Sequence, residues 1–549
     1  MANRKKRKKH KREFQIPEGL MGMLAVLTAV LLCFRGLSLS RVAGVYGSAC
    51  YSVAFGWFAI LCVLSGVSFA YGVKTMVMLR LERGNAVAAK QVVTVALGIV
   101  FLSGAVLSVF GFLAAEWLSA AALGLAGAAL PMRALAAAVL PMAISAVLLG
   151  ALDGFGVENA ARGIKIVFCS VSVITAGGCI RPLYAYGQKV GALLQNEYYA
   201  PAYGALGAAV SLLIGALLAL LFAAVAWIWN GHEIKLRVRM EGGERENKKL
   251  IARNVLIQSL PVAMPALFAS VFFVAQQLLY MRTSSENIVT GAEELGTYTG
   301  AVGVWAVLPA ACAVLFAAYM LPELKVGFVK RNLKRSRDKC MLSLRCSALF
   351  TVPLAIFLCI TAKVLLNTYF EGIAMNSAVQ MLRVNCLALV LFGLASVLGA
   401  VLVSVDMLRS FLADMVISAL VSLLGLSVMQ NALHMGISAV ACSNVLLAFL
   451  LCATFFFSAG RQLRMKINWL RVFLAPLVGG AVMAAVCAVF SLAVLKNAPG
   501  LLNVIVSGLI GFVVYFVSVS ALKGLTPREL RAYPGGEYLI KVAQMFRLM

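Results

Sequence analysis

The sequence predicts an all-α polytopic membrane protein of about fourteen transmembrane helices, and three observations carry that prediction. Of 549 residues 62% are apolar and only 13% charged, with a mean hydropathy of +0.94, which is far too little polar surface for a soluble chain of this length. The apolar residues gather into runs near or above the roughly 20 residues that cross a bilayer as a helix. Lysine and arginine, in turn, collect between alternate runs.

Taken in order, the runs cover approximately 19–34, 50–73, 91–115, 134–152, 159–180, 198–229, 254–281, 295–322, 346–362, 376–405, 410–430, 435–460, 472–495 and 497–522. The fifth is the weakest, because Arg162 and Lys165 leave a charge-free core of only Ile166 to Ile180. With the N-terminus inside, the inner segments hold 39 lysines and arginines and the outer segments 8, and Arg383 stands within the tenth span. The positive-inside rule then predicts that both termini are cytoplasmic. The start Met1 to Arg12, rich in Lys and Arg, reads as a cytoplasmic tail before a retained first helix, because no small-residue cleavage site follows. Its charge suits anionic membrane lipid, at about 1 kcal/mol per basic residue near the surface.

The charged connector 230–253 divides the spans into an N-terminal six-helix lobe (19–229) and a C-terminal six-helix lobe (254–460). Residues 1–18 form the basic tail, 461–522 the thirteenth and fourteenth helices, and 523–549 a cytoplasmic tail. In that last segment Leu539, Val542, Met545, Phe546 and Met549 lie at helical spacing opposite Lys541, Gln544 and Arg547, which predicts an amphipathic helix on the inner surface. Six helices per lobe is even, so the lobes would be parallel repeats. Gly204, Ala209 and Ser211 recur as Gly436, Ala441 and Ser443; Arg133 pairs with Arg383, and Asp153 with Asp406. Pro141, Pro261, Pro265, Pro309, Pro353 and Pro476 fall inside spans and remove helical hydrogen bonds. Gly204 and Gly207, Gly300 and Gly303, and Gly508 and Gly511 allow close helix approach.

Several function classes are excluded. The net charge of +27 flanks the spans rather than interleaving with aromatics on a folded face, which argues against nucleic acid. Thirteen cysteines without C-x-x-C, and three histidines, suggest neither a metal site nor a disulfide framework. No P-loop, G-x-S-x-G or H-E-x-x-H occurs, and no loop is large enough for a catalytic domain. The chain reads as a non-enzyme without a cofactor.

Short motifs then carry a resemblance. Leu308-Pro309-Ala310-Ala311 with Met320-Leu321-Pro322-Glu323, Ser259-Leu260-Pro261-Val262-Ala263, the run Gly204 to Ala209, and Glu158 with Arg162 resemble helices eight, seven, six and five of the multidrug/oligosaccharidyl-lipid/polysaccharide (MOP) exporter superfamily. The tail Leu525-Thr526-Pro527-Arg528-Glu529-Leu530-Arg531 with Pro534-Gly535-Gly536 is similar to the stage V sporulation protein B group of polysaccharide flippases. The resemblance implies two lobes around a central cavity in the bacterial cell membrane. It also implies export of a lipid-linked oligosaccharide or peptidoglycan precursor by alternating access, with roles in cell-wall or sporulation polysaccharide synthesis. Three departures stand out: Gly66-Val67-Ser68 lacks the group's Gly-x-Pro turn, Arg41 to Tyr46 shortens the first outer loop, and Gln276 and Gln277 occupy the region of a seventh-helix Asp.

An anionic polyprenyl-pyrophosphate head needs cations, and arginine offers a bidentate fork. The candidates are Arg383, the deepest, with Arg35, Arg41, Arg133 and Arg282 near outer span ends; each has snorkelling to lipid phosphate as its plain alternative. Gln276 and Gln277 point about 100° apart on a helix, so at least one faces protein or cavity. Asp414, Glu158 and Arg162 are candidates for coupling to a cation or proton, or for gating, against simple solvation or ion pairing. The mostly arginine charge favours a flippase over a cation-coupled exporter of small amphipathic compounds; a non-transporting scaffold is the third class.

Overall fold

The computed structural model describes residues 18–122, 124–283, 288–303, 305, 333–370, 375–463, 469–491 and 499–522. The N-terminal basic tail, Pro309, the motif 308–323 and the C-terminal tail with its amphipathic pattern lie outside the described residues. The described residues are almost wholly helical: α1 (Glu18–Ser65), α2 (Phe69–Glu82), α3 (Ala86–Trp117), α4 (Ala129–Gly154), α5 (Glu158–Leu194), α6 (Tyr199–Trp229), α7 (Gly231–Glu241), α8 (Lys248–Thr283), α9 (Ile288–Gly296), α10 (Leu333–Tyr369), α11 (Met375–Ser404), α12 (Leu408–Asn431), α13 (Ser438–Leu463), α14 (Trp469–Val489) and α15 (Gly500–Ala521). Among the described residues, twelve helical stretches are long and apolar enough to cross a membrane.

That twelve reconciles with the fourteen expected runs at two places. The first two runs are joined, because α1 carries the chain through both, broken only at Gly44 (φ 66°, ψ −167°). Each limb can cross a ~30 Å hydrocarbon layer at 1.5 Å per residue. The short Arg41 to Tyr46 segment is therefore a kink rather than a loop. Most of the eighth run is outside the described residues, but its start is visible: α9 passes into a π-helical turn, Thr297–Val302. The fifth run is longer than its apolar core suggests. α5 continues to Leu194, where Gln195 adopts a left-handed cap (φ 52°), so Arg181 and Lys189 ride on helix, not on a loop.

The turn late in the second run survives without its proline. Gly66 (φ 103°) supplies the left-handed residue, with the Phe69 amide donating to the Gly66 carbonyl at 2.9 Å. Small residues permit close packing: a Cβ on Gly207 would stand 2.7 Å from Ile180 Cα and 2.8 Å from the Cys179 carbonyl, so α5 and α6 meet backbone to backbone.

The repeat expected from sequence has a backbone signature. At the end of α4 the Gly156 amide donates to Asp153 O and the Val157 amide to Leu152 O; at the end of α11 the Asp406 amide donates to Val403 O and the Met407 amide to Leu402 O. These are the same Schellman cap, displaced by the separation of Arg133 and Arg383. The pairing of Asp153 with Asp406 is therefore corrected: Asp406 (φ 57°) corresponds to Gly156 (φ 89°) as the left-handed residue, and Asp153 corresponds to Val403. The Ser211–Ser443 pairing also acquires a contact. Thr175 of α5 donates to Ser211 O at 3.4 Å, and Ser422 of α12 donates to Ser443 O at 2.8 Å.

The apolar cores show how the halves meet. At the end of the molecule that holds Met132, Tyr280, Leu366 and Ala439, side chains from both halves form one continuous buried cluster. At the opposite end the halves have separate clusters: one around Val77, Val92, Val147 and Ile251, another around Leu344, Leu398, Phe411 and Phe455. α8, α9 and the π turn carry the contacts between the halves, while α14 and α15 pack against α10. The molecule is sealed at one end and parted at the other.

Candidate functional site

Polar groups concentrate where the sealed end meets the middle of the molecule. Arg35, on the first limb of α1, is buried. Its guanidinium donates to the Tyr51 hydroxyl and, at 3.0 Å, to the Ala208 carbonyl of α6. It also stacks 5.0 Å from the Tyr51 ring centre, while its buried Nε has no partner among the described residues. Next along the second limb, Ser52 accepts from Gln277 of α8 at 2.8 Å. Adjacent helical residues point about 100° apart, so Tyr51 faces the first half through Arg35 and Ser52 faces the second through Gln277.

Gln276 continues the network into the second half. It donates to Asn444 Oδ1 at 3.1 Å and lies 3.4 Å from Ser443 Oγ. Ser443 pairs with Ser422 of α12 at 2.9 Å; the Asn444 amide donates to the Tyr298 hydroxyl, which points to Asn385 of α11 at 3.5 Å. Every member is an amide or a hydroxyl. Such neutral hydrogen bonds hold helices together in a bilayer without burying charge. A small cleft lined by Phe273, Gln276, Gln277, Tyr298 and Thr299 opens beside them. The sealed end is closed by Ser40, Ser48 and Gly300: the two hydroxyls lie 3.0 Å apart across the Gly44 kink, and Ser40 reaches the Gly300 carbonyl at 3.4 Å.

The other sequence candidates fall elsewhere. Arg133 pairs with Glu116 at 2.6 Å over the Phe112 ring. Arg383 is exposed between α10 and α11, with Nε 3.4 Å from the Cys359 carbonyl. Arg41 and Arg282 are exposed. Glu158 and Arg162 form an exposed i,i+4 pair at 2.7 Å. Asp414 accepts from Ser458 at 2.6 Å near the parted end. Of the candidates, then, Arg35, Gln276 and Gln277 converge, and the rest are dispersed. Sequence reading missed Tyr51, Ser52, Tyr298, Asn385 and Asn444. Single hydroxyls and amides in apolar runs are common, and only the fold tells which ones meet.

It also missed how the connector is fastened. Arg80 makes a two-pronged contact with Glu246 (3.0 and 2.5 Å). Gln91 exchanges two hydrogen bonds with the Glu246 backbone, and Asn85 donates to the Glu244 carbonyl at 3.1 Å. The strip 242–246 is thereby bound to the α2–α3 turn. Lys74 and Asp153 add a 2.8 Å ion pair nearby.

Solved structures share this fold. An inward-facing multidrug resistance MATE family transporter of the MOP superfamily superposes with a TM-score of 0.64 at 15% identity, over 81% of this chain and 98% of its own. The lipid II flippase MurJ, in an inward closed conformation, gives 0.61 at 15% identity, over 91% and 98%. The chain has the MOP-superfamily fold. A MOP superfamily transporter from Pyrococcus furiosus, described as having a binding pocket of reversed polarity, shares it at 0.56 and 15% identity, over 80% and 95%. No protein-family model matches the chain, and no curated protein matches it. The Arg35–Tyr51 and Ser52–Gln277 contacts both end on α1, where the two halves meet.

Proposed function

We propose that the protein flips or exports a lipid-linked oligosaccharide or peptidoglycan precursor across the bacterial cytoplasmic membrane by alternating access. One observation carries the choice of an anionic substrate. Among the described residues the only buried charged side chains are Arg35 and Arg80; Arg80 is matched by Glu246, whereas Arg35 has hydroxyl and carbonyl partners and no carboxylate. An unneutralised cation in a low-dielectric interior favours an arriving anion, and the free Nε leaves a donor for it. The amides at positions 276 and 277 can exchange their partners for sugar hydroxyls.

The distribution of 39 against 8 basic residues supports a cytoplasmic N- and C-terminus. On that orientation the parted end faces the cytoplasm, and the molecule stands ready to load. The fold serves small-molecule exporters equally well, so the test must separate substrates. Purified protein in liposomes should translocate a labelled polyprenyl-pyrophosphate sugar. Arg35→Ala should weaken substrate binding by about 10- to 150-fold, equivalent to about 1.5–3 kcal/mol for a charge-assisted hydrogen bond, at equal membrane insertion. Arg35→Lys should recover part of it, since the charge stays and the fork is lost. Efflux of cationic dyes without sugar-lipid transfer would instead assign the protein to the small-molecule exporters.

A further inference from the structure

The two halves carry different charges at corresponding places beside α11 and α4. The helix caps described above fix the correspondence of α4 with α11, and contacts to the preceding helices agree with it to within one residue. Ser108 of α3 donates to the Ala136 carbonyl of α4 at 2.8 Å. The counterpart of Ala136 in α11 is Cys386, which lies beside Cys359 of α10, one position from the counterpart of Ser108. So α3 with α4 and α10 with α11 are the same helix pair, in register to within one residue.

In the first pair Arg133 is neutralised by Glu116 and covered by Phe112. At the separation of Arg133 and Arg383, the positions in α10 are Leu366 and Ala362, both buried and apolar, and the next residues along are Asn367 and Lys363. Among the described residues, then, no acid takes the place of Glu116 beside Arg383. Moreover Leu113, 73% exposed on the outside of the first pair, corresponds to Lys363, which is also exposed. Lys363 sits one turn from Cys359 on the same face of α10, and the Cys359 carbonyl holds Arg383 Nε. One groove is electrically balanced; the other holds two cations and, among the described residues, no carboxylate partner for either.

We propose that the groove between α10 and α11 binds the phosphate of an anionic membrane phospholipid through Lys363 and Arg383. Depth agrees with this. α11 has 30 residues, about 45 Å at 1.5 Å per residue, against a hydrocarbon layer of about 30 Å. Arg383 starts about 12 Å from the helix end and so about 5 Å below the headgroup boundary, a distance that a guanidinium spans by snorkelling. With Nε tied to Cys359, the two Nη groups are left to form the fork that phosphate accepts. Val384 and Leu387, exposed on the deeper part of the same face, offer an apolar track for an acyl chain.

Native mass spectrometry of the detergent-purified protein, loaded with phosphatidylglycerol or phosphatidylcholine, tests this. The wild type should retain phosphatidylglycerol in preference. Lys363→Leu, which installs the residue of the opposite half, and Arg383→Gln should each lower that retention about fivefold. Arg133→Gln should leave it unchanged. All variants should melt with the wild type in phosphatidylcholine, which separates lost binding from lost folding. Equal phosphatidylglycerol retention by the wild type and the Lys363→Leu/Arg383→Gln double variant overturns the proposal. So does displacement of the lipid by free pyrophosphate, which would hand the groove to the substrate head.

Discussion

Gly156 and Asp406 turn the same corner in the two halves, at φ 89° and φ 57°, yet only one of them is free of a side chain. A Cβ on Gly156 would meet nothing within 4 Å. Gly156→Ala should therefore destabilise by the backbone cost alone, about 1–2 kcal/mol, read as a lower Tm in detergent, and Gly156→Asn should lose less because Asn tolerates the left-handed region. An unchanged Tm for Gly156→Ala would mean the corner relaxes. The same comparison shows what sequence can and cannot say about single residues. The equivalence of Arg133 and Arg383 was legible as spacing, but Asp153 and Asp406 matched by letter and not by place, because a cap is defined by backbone angles that several residue types can adopt. Gln276 and Gln277 were legible as amides needing partners. Their partners, Asn444 and Ser52, are set by long-range packing that no local pattern encodes.

At the scale of elements, α8 belongs to both halves. Its first turns, with Ile251 and Val255, pack into the core of the first half, and its last turns join the shared core through Tyr280. The sequence boundary at residue 254 cuts through this helix, since a charge run marks where chain leaves the membrane and not which body a helix joins. The bound strip 242–246 holds the beginning of α8 in place. Glu246→Gln leaves the mostly buried Arg80 without its carboxylate and should cost about 1–2 kcal/mol, discounted for the partial exposure of Glu246. Trypsin should then cut faster at the exposed Arg245. Unaltered cleavage would show that Gln91 and Asn85 hold the strip by themselves. Pro261 and Pro265 lie midway along α8, between the portion fixed to the first half and the portion bonded to Asn444, so bending there would let one helix follow two bodies.

For the whole molecule, the shared core at one end and divided cores at the other are, under the proposed alternating access, one of two states. Opening the sealed end requires parting Ser52 from Gln277. In a cysteine-free background, Ser52→Cys with Gln277→Cys joined by a short bismaleimide should stop translocation, while each single variant keeps it; full transport by the cross-linked protein would place the moving seam elsewhere. Reporter fusions after Gly231 should read cytoplasmic and one near Glu293 extracytoplasmic; the reverse result would invert the proposed orientation. Fold class was legible because hydropathy and charge bias are summed over hundreds of residues, whereas the join in α1 was not, because a kink at one glycine leaves the apolar pattern almost unchanged. The buried, unneutralised Arg35 has an electrical consequence. A charge that is reached alternately from two aqueous sides feels the membrane voltage, worth up to about 2.3 kcal/mol per 100 mV. On the proposed orientation and cycle, the resting potential, negative inside, would draw the empty protein toward its cytoplasm-facing state, and an anion bound to Arg35 would cancel that pull. Voltage would then act as a return spring on the unloaded carrier and release it once cargo is aboard.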